Sequence, residues 1–295
     1  MTTERHPVSL YTQHERLFAA NRFVYPVLSR RSGGISVGVN LNPDKVCNFD
    51  CIYCQVDRVS RSETRFVAID QLLAELNATL RLVTSGDLFQ TEKFRDTPGP
   101  LRRLNDIAFS GDGEPTTYRN FDQIIESCAA LKRRHGLDDV KLVLITNASM
   151  FHRGHVRRGL ELLDANQGEI WAKLETGTKE YYRLVERTSI PFRQIIDNIT
   201  AAAQARPLVI QSLFMRIDGQ PPPPEEVTAF CDRLNDILAA GGRIQLVQVY
   251  TVARRPAESF VTPLTDAEVD AIVEMVREQT KLPAAAYYGT ADGNT

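Results

Sequence analysis

The sequence predicts an α/β protein built as an open (β/α)6 barrel, that is, a partial TIM barrel with a parallel sheet. Short runs rich in β-branched residues alternate with segments whose apolar residues recur at helical spacing. This alternation is typical of parallel strands joined by helices. Because six strands are too few to close the eight-stranded form, we expect the barrel to be open.

Each of the six strands is predicted from a short apolar run. They lie at 35–39, 106–109, 140–145, 169–174, 208–214 and 244–250. Helices are predicted where apolar side chains share one face. They lie at 69–83, 121–131, 156–163, 194–205, 225–240 and 265–279. The last helix opens with Thr265-x-x-Glu268, which is the pattern of a capping box.

We expect a single domain over residues 1–295. Within it, 1–33 are predicted to form an N-terminal extension and 34–264 the partial barrel. A C-terminal helix and tail are predicted over 265–295.

Composition excludes some classes of protein. Lys and Arg number 35 and Asp and Glu number 37, a formal charge of −2, which argues against a globally basic nucleic-acid-binding protein. No apolar run approaches the ~18 residues of a membrane span, and the polar N-terminus lacks the apolar core of a signal peptide. We therefore expect a cytoplasmic protein without a membrane segment, in which cysteines stay reduced.

Three of the five cysteines lie close together just past the first strand, in the segment VCNFDCIYCQ. Cys47, Cys51 and Cys54 have the spacing C-x3-C-x2-C, and in a reducing compartment such a group indicates metal ligands. Three thiolates can hold three irons of a 4Fe–4S cluster and leave the fourth iron open to a small molecule. A structural zinc ion is the weaker alternative, because it takes four ligands and no second cysteine pair follows. Cys128 and Cys231 fall within predicted helices and are interpreted as buried thiols.

A second candidate segment, FSGDGEPT, joins the second strand to a helix. Gly111 and Gly113 flank Asp112, and Glu114 follows. Glycines let the backbone approach a ligand closely, and a carboxylate with a strand-end carbonyl group can hold an ammonium group. A plain turn has the same composition, so this segment gains weight only beside the cysteines.

Polar residues also mark the ends of the later strands. Asn147 follows the third strand, Glu175 ends the fourth, and Gln211 and Gln248 lie in the fifth and sixth. We expect these side chains at the barrel mouth. A carboxylate at a strand end can bind both hydroxyl groups of a ribose, which makes Glu175 the candidate for that role. Simple hydrogen bonding at the rim remains an alternative for Gln211 and Gln248.

Several arginines are candidates for a rim that binds phosphate groups. They are Arg30, Arg31, Arg153, Arg157, Arg158, Arg254 and Arg255. The run from Lys132 to His135 ends a predicted helix, where cations suit the helix dipole, and RNA contact is the alternative.

The cysteine segment, with Tyr53 before its third cysteine, resembles the signature of the radical S-adenosylmethionine (SAM) superfamily. The second segment resembles that superfamily's Gly-Gly-Glu motif, with Asp112 in place of the first glycine. Residues 29–31, 34–38 and 49–55 resemble the branch of tRNA wyosine-synthesising Fe–S oxidoreductases, and similar matches run to about Pro263.

The resemblance implies a radical SAM type of barrel that carries a 4Fe–4S cluster on the three cysteines. It implies that Tyr53 contacts the adenine of SAM and that the Gly113-Glu114 turn holds the methionine amino group. With the strand-end residues, the candidate SAM site comprises Tyr53, Gly111, Asp112, Gly113, Glu114, Asn147, Glu175, Gln211 and Gln248.

The implied activity is reductive cleavage of SAM to methionine and a 5′-deoxyadenosyl radical, which abstracts hydrogen from a substrate. An external reductant such as flavodoxin or ferredoxin is then needed. The wyosine branch has three further cysteines and a pyruvate-binding lysine upstream, whereas the first cysteine here is Cys47 and the first lysine is Lys45. We therefore expect a different substrate, and an RNA base (tRNA included), a peptide and a small metabolite all remain open.

Two other functions are compatible with the cysteines. One is a non-catalytic Fe–S protein for electron transfer or sensing, which would not need Glu114 or Glu175. The other is a tRNA-binding protein with a structural cluster, which would show steeply salt-dependent binding.

Overall fold

A computed structural model describes residues 18, 20–56, 66–254, 256 and 258–289. It contains ten strands. They are β1 (Val24–Ser29), β2 (Gly34–Val39), β3 (Leu104–Phe109), β4 (Lys141–Thr146), β5 (Gly168–Lys173), β6 (Leu208–Leu213), β7 (Arg216–Ile217), β8 (Ile244–Tyr250), β9 (Val261–Thr262) and β10 (Ala284–Tyr287). Eight of them form one curled sheet, a half-barrel, in the order β1-β2-β3-β4-β5-β6-β8-β10. The other two, β7 and β9, form a small antiparallel pair.

Seven α-helices accompany these strands in the described residues. They are α1 (Ile69–Ser85), α2 (Phe121–Arg134), α3 (Gly154–Asp164), α4 (Lys179–Glu186), α5 (Phe192–Ala205), α6 (Pro224–Ala239) and α7 (Asp266–Thr280). The capping box predicted at the start of α7 is confirmed, since Thr265 and Glu268 exchange side-chain to backbone hydrogen bonds. None of the helices in the described part of the chain combines the length and apolar character that a bilayer span requires.

The predicted fold class is confirmed, and each of the six predicted strands and six predicted helices lies within a few residues of its expected position. The sheet also has two edge strands that the sequence pattern does not predict. β1 pairs antiparallel with β2 and contains Pro26, which an edge strand tolerates. β10 has the sequence AAAY, and alanine has little preference for strands. Both edge strands come from the predicted extension and tail, whose ends, 1–17 and 290–295, lie outside the described residues.

The core lies between the outer face of the sheet and the helices. Phe109, Leu144, Ile210 and Val249 alternate with inward-facing residues along their strands and are fully buried in one cluster with the helices. The inner face of the curl carries a smaller cluster of Ala108, Val143, Trp171 and Val209.

The parallel register brings the carboxyl ends of the strands to one edge of the sheet. Val39 lies beside Phe109, and Phe109 lies beside Leu144. Further along the sheet, Leu213 of β6 lies beside Tyr250 of β8. The loops that follow these strands therefore meet at one mouth, where barrels of this kind place their chemistry.

The two edges of the curled sheet, β1 and β10, are not neighbours in the strand order. A side chain connects them instead, because Arg30, directly after β1, donates a hydrogen bond to the carbonyl oxygen of Tyr288, directly after β10.

A buried carboxylate fastens the beginning of β1 to α1. Glu75 accepts hydrogen bonds from the backbone N–H groups of Arg22, Phe23 and Val24, at 3.0, 2.8 and 3.2 Å. Three backbone donors that precede or begin an edge strand are satisfied in this way.

A second buried carboxylate, Asp106 of β3, lies on the inner face of the sheet and is 3% exposed. It accepts a hydrogen bond from the Ser36 hydroxyl group. Burial raises the pKa of Asp106 from 3.8 to about 6, against the opposing effect of that hydrogen bond.

We expect Glu75→Gln to lower the free energy of unfolding by about 2 kcal/mol, because one of the two acceptor oxygens becomes a donor opposite backbone N–H groups. Urea denaturation of the full chain measures this. Glu274→Gln, at an exposed position of α7, is the matched control and should change stability by less than about 0.5 kcal/mol. Equal effects of the two substitutions would contradict the fastening role of Glu75.

We expect the folded chain to lose stability as the pH rises from 3.8 to about 6, because folded Asp106 holds its proton more tightly than the unfolded chain does. The loss from this one group amounts to about 3 kcal/mol. Asp106→Asn lacks a titrating proton, so its unfolding free energy should fall less than that of the natural chain over this window. Urea denaturation at a series of pH values compares the two, and identical pH profiles would disprove the assignment.

Candidate functional site

The mouth of the half-barrel opens into a cavity of about 300 Å³. Most of the predicted site residues line it. They are Cys47, Cys51, Tyr53, Cys54, Gly111, Asp112, Gly113, Glu114, Asn147 and Gln211. The other two contact lining residues: Glu175 accepts a hydrogen bond from the Tyr53 hydroxyl group, and Gln248 accepts one from Gln211 at 3.2 Å.

The cysteine loop follows β2 and is held by the end of α4. The N–H groups of Asp50 and Ile52 donate to the carbonyl oxygens of Glu186 and Val185, at 3.1 and 2.9 Å. The Ile52 side chain is fully buried. The loop is thus paired with α4 through its backbone, which fixes the position of the second and third cysteines.

The three thiols share this loop and are all partly buried. Cys51 Sγ lies 2.9 Å from Glu186 Oε2 and donates a hydrogen bond to it. Burial raises the pKa of Cys51 well above its usual value, and the charge of Glu186 raises it further. Within the described residues, no three His, Cys, Asp or Glu side chains converge on one point as metal ligands do.

The glycine-rich turn packs directly against the cysteine loop. A Cβ atom at Gly113 would overlap the Val46 carbonyl oxygen, and one at Gly111 would overlap the Asn40 side chain. Asn40 Nδ2 also donates to Asp112 Oδ2 at 2.7 Å. Only glycine permits this close approach of the two loops.

Glu114 is almost completely buried and joins two strand ends. One of its oxygens accepts from the N–H and hydroxyl groups of Thr116 and from the Thr146 hydroxyl group, at 3.1, 2.5 and 2.6 Å. The other accepts from the Asn147 N–H at 2.7 Å. Burial raises the pKa of Glu114, while these hydrogen bonds lower it. Its acceptor capacity is filled by protein donors.

The turn after β4 contains a residue in a backbone conformation that usually favours glycine. Ala148, which follows Asn147, has φ of 59°, the left-handed region that favours glycine. The side chain of Asn147 reaches the cysteine loop, where Nδ2 donates to Asn48 Oδ1 at 2.9 Å. The end of β4 thus contacts both the Glu114 turn and the cysteine loop.

Glu175 lies 3% exposed beneath the cysteine loop. Its Oε2 atom accepts from Tyr53, whereas Oε1 is buried without a hydrogen bond and lies 3.8 Å from Lys173 Nζ. Lys173 Nζ also lies 3.2 Å from the Tyr53 hydroxyl group and 5.0 Å from the centre of its ring. Burial lowers the pKa of Lys173, but Glu175, Tyr250, Cys51 and Glu186 each raise it, and together they outweigh burial, so that the net effect is a higher pKa.

Sequence reasoning missed several side chains of this cavity, among them Lys173, Glu186 and Trp171. Lys173 carried a detectable signal, since it follows Trp171 by two positions in a predicted strand and therefore shares its face. Glu186 carried none, because it ends α4, a helix of only eight residues that the apolar pattern did not predict.

The predicted arginine rim is divided in the structure. Arg30, Arg31 and Arg254 line the cavity. Arg158 does not line the cavity and forms an ion pair with Asp122, in which the nitrogen and oxygen atoms are 2.8 Å apart. Arg255 lies outside the described residues. Two further arginines are exposed at the start of α3. They are Arg153 and Arg157.

Comparison with known proteins gives two kinds of relative. The chain is 22% identical over 83% of its length to "GTPase Obg" of Brachyspira hyodysenteriae, and 26% identical over 61% of its length to a "UPF0026 protein" of Helicobacter pylori. It spans only 32% and 51% of the length of these relatives. The sequence has no G-x4-G-K-[ST] phosphate-binding loop.

Among solved structures, the chain is similar to "Structure of TYW1 with a lysine-pyruvate adduct bound". The sequences are 16% identical, the match covers 84% of this chain and 74% of that chain, and the TM-score is 0.49.

The family model described as "Radical SAM superfamily" matches residues 41–234, which is more than half of the chain. The matched region begins in the loop after β2, contains the cysteines and the glycine-rich turn, and ends in α6. The predicted family is thereby confirmed: the chain belongs to the radical SAM superfamily.

Proposed function

We propose that this chain is an enzyme that holds a 4Fe–4S cluster on Cys47, Cys51 and Cys54 and cleaves SAM reductively. One observation supports this most strongly: the three thiols and the glycine-rich turn line the same cavity, at the carboxyl ends of the parallel strands. Membership of the superfamily implies both cofactors. When bound, they supply one-electron cleavage of SAM and hydrogen-atom abstraction from a substrate.

The chemistry of the donor set fits iron. Thiolates are the ligands that hold Fe–S clusters, and the loop offers three of them. A coordinating thiol is deprotonated, so iron would replace the Cys51 proton that Glu186 accepts in the described geometry. The backbone pairing of the loop with α4 does not depend on that proton.

The residues around the thiols suit a ligand with amino and hydroxyl groups. Glu175 Oε1 is a buried acceptor without a hydrogen bond, which supports a ribose hydroxyl group as its partner. Glu114 acts in this proposal as a positioning residue, because four protein donors occupy its oxygens and fix the turn. Tyr53, already bonded to Glu175, would be placed against the adenine.

The partners follow from this chemistry. We propose that a low-potential protein such as flavodoxin or ferredoxin supplies the electron. The substrate is a hydrogen-atom donor whose class the cofactors do not specify, and tRNA is one candidate. The cytoplasmic location expected from the sequence stays a prediction.

We expect Cys47→Ala, Cys51→Ala and Cys54→Ala each to lower the iron bound after anaerobic reconstitution, because three thiolates are needed to hold the cluster. Cys128→Ala is the matched control, since that thiol is buried in α2 away from the loop, and it should keep the iron of the natural chain. Iron and sulfide analysis with visible absorbance measures both. Equal iron loss in all four variants, or in none, would refute the ligand assignment.

We expect the reconstituted full chain to form 5′-deoxyadenosine from SAM in the presence of dithionite, as detected by mass spectrometry. Cys54→Ala should form none above background, and Cys128→Ala should form as much as the natural chain. Glu175→Gln should raise the KM for SAM by about tenfold, the worth of one hydrogen bond to a charged group. A natural chain with an intact cluster that yields no 5′-deoxyadenosine would overturn the proposed function.

A further inference from the structure

The cavity continues from the cysteine loop along the inner face of the sheet, where it meets a second group of side chains. Lys173 contacts Tyr53 of the cysteine loop, and two positions before it in β5 lies Trp171. Tyr250, at the end of β8, lines the same cavity. Arg31, from the turn between β1 and β2, reaches into this region.

The guanidinium group of Arg31 lies over two aromatic rings. Its central carbon is 5.0 Å from the centre of the Tyr250 ring and 5.7 Å from the centre of the Trp171 ring. Contacts with aromatic ring faces stabilise a cation. They do not replace hydrogen bonds from the guanidinium N–H groups to an oxygen acceptor. Arg31 forms no hydrogen bond or ion pair with any residue that the structure describes.

The indole N–H of Trp171 is a second unused donor at this place. The side chain is 5% exposed, and Nε1 is buried without a hydrogen-bond partner among the described residues. Buried indole N–H groups usually have an acceptor, so this N–H is available to an acceptor on a ligand. The neighbouring inner-face residues, Ala108, Val143 and Val209, are small and apolar and offer no acceptor.

Lys173 and Arg31, two cations that line this part of the cavity, differ in their negatively charged neighbours. Lys173 has Glu175 at 3.8 Å, whereas Arg31 has no carboxylate partner among the residues that the structure describes. Asp106, on the same wall, accepts from the Ser36 hydroxyl group and forms no ion pair with Arg31. Within the described part of the chain, the guanidinium group of Arg31 is therefore available to a negative group of a ligand.

We propose that this part of the cavity binds an oxyanion group of the substrate, a carboxylate or a phosphate, through the Arg31 guanidinium and the Trp171 indole N–H. The guanidinium offers a planar fork of donors that matches both oxyanions, and the indole adds one donor beside it. This inference rests on the proposed function, since it assigns these donors to the substrate of that enzyme. Small inner-face side chains favour a small molecule with a terminal oxyanion.

The chain contains a single tryptophan, so its fluorescence reports this site directly. We would titrate the full chain with acetate, succinate and inorganic phosphate at constant ionic strength, with acetamide as the neutral probe. We expect a saturable change of emission with a carboxylate or with phosphate, and none with acetamide. The probe that saturates at the lower concentration identifies the oxyanion.

Variants test the donors. Arg31→Gln should lower the affinity for the oxyanion by about tenfold or more. Arg31→Lys keeps the charge but lacks the planar pair of donors, so it should lower the affinity less. Arg193→Gln removes the same charge from an exposed position of α5 and should leave the affinity unchanged. Trp171→Phe, followed by calorimetry, should weaken binding without removing Arg31, and it tests the site if the Arg31 variants fold poorly.

Several results would overturn the inference. They are no saturable response to any oxyanion, an unchanged affinity in both Arg31→Gln and Trp171→Phe, competition by S-adenosylhomocysteine, or a response to tRNA alone. Displacement by S-adenosylhomocysteine would assign these donors to the cofactor, and a response to tRNA alone would assign them to nucleic acid. Formation of 5′-deoxyadenosine without an oxyanion response would remove only this inference. An oxyanion response without 5′-deoxyadenosine would remove only the proposed function.

Discussion

The hydrogen bonds of one buried carboxylate, Glu114, hold the mouth of the half-barrel together. Removing a carboxylate from water is costly unless donors replace the water, and here Thr116, Thr146 and Asn147 provide them. The turn after β3 and the end of β4 are joined in this way. Asn147 then extends the network to Asn48 of the cysteine loop. Three loops from different parts of the chain therefore keep a common geometry, which a site assembled from loops requires.

Charged side chains of both signs lie between the cysteine loop and Arg31. Glu175 and Glu186 are both buried, and burial raises the pKa of Glu186, with the charge of Glu175 adding to the effect. Lys173 lies against this acidic pair and compensates part of its charge. Beyond Lys173, the wall becomes aromatic and ends at Arg31. The cavity wall thus carries carboxylates near Cys51 and a guanidinium group at Arg31, a separation of charge that can orient a ligand with charge at one end.

The sequence was most informative where structure is local. Strands, helices, the capping box and the spacing of the three cysteines all depend on neighbouring residues, and the structure has the predicted elements. The contacts that it could not reveal are non-local. The pairing of Ile52 with Val185, the bond between Cys51 and Glu186, and the position of Arg31 over Trp171 each join distant segments. The strand-end position of Glu175 is predicted from the sequence, but its pairing with Tyr53 depends on how the cysteine loop folds back.

The half-barrel has a seam between its edge strands β1 and β10, which are not paired with each other and where Arg30 contacts Tyr288. Elsewhere, neighbouring strands are joined by ladders of backbone hydrogen bonds that must break together, as between β6 and β8. At the seam, one side chain bridges the two edges of the sheet. Opening a gap there disrupts side-chain contacts, whereas parting two paired strands disrupts several backbone hydrogen bonds at once. We therefore expect the wall to widen more easily at this seam, beside Arg31, than between two paired strands.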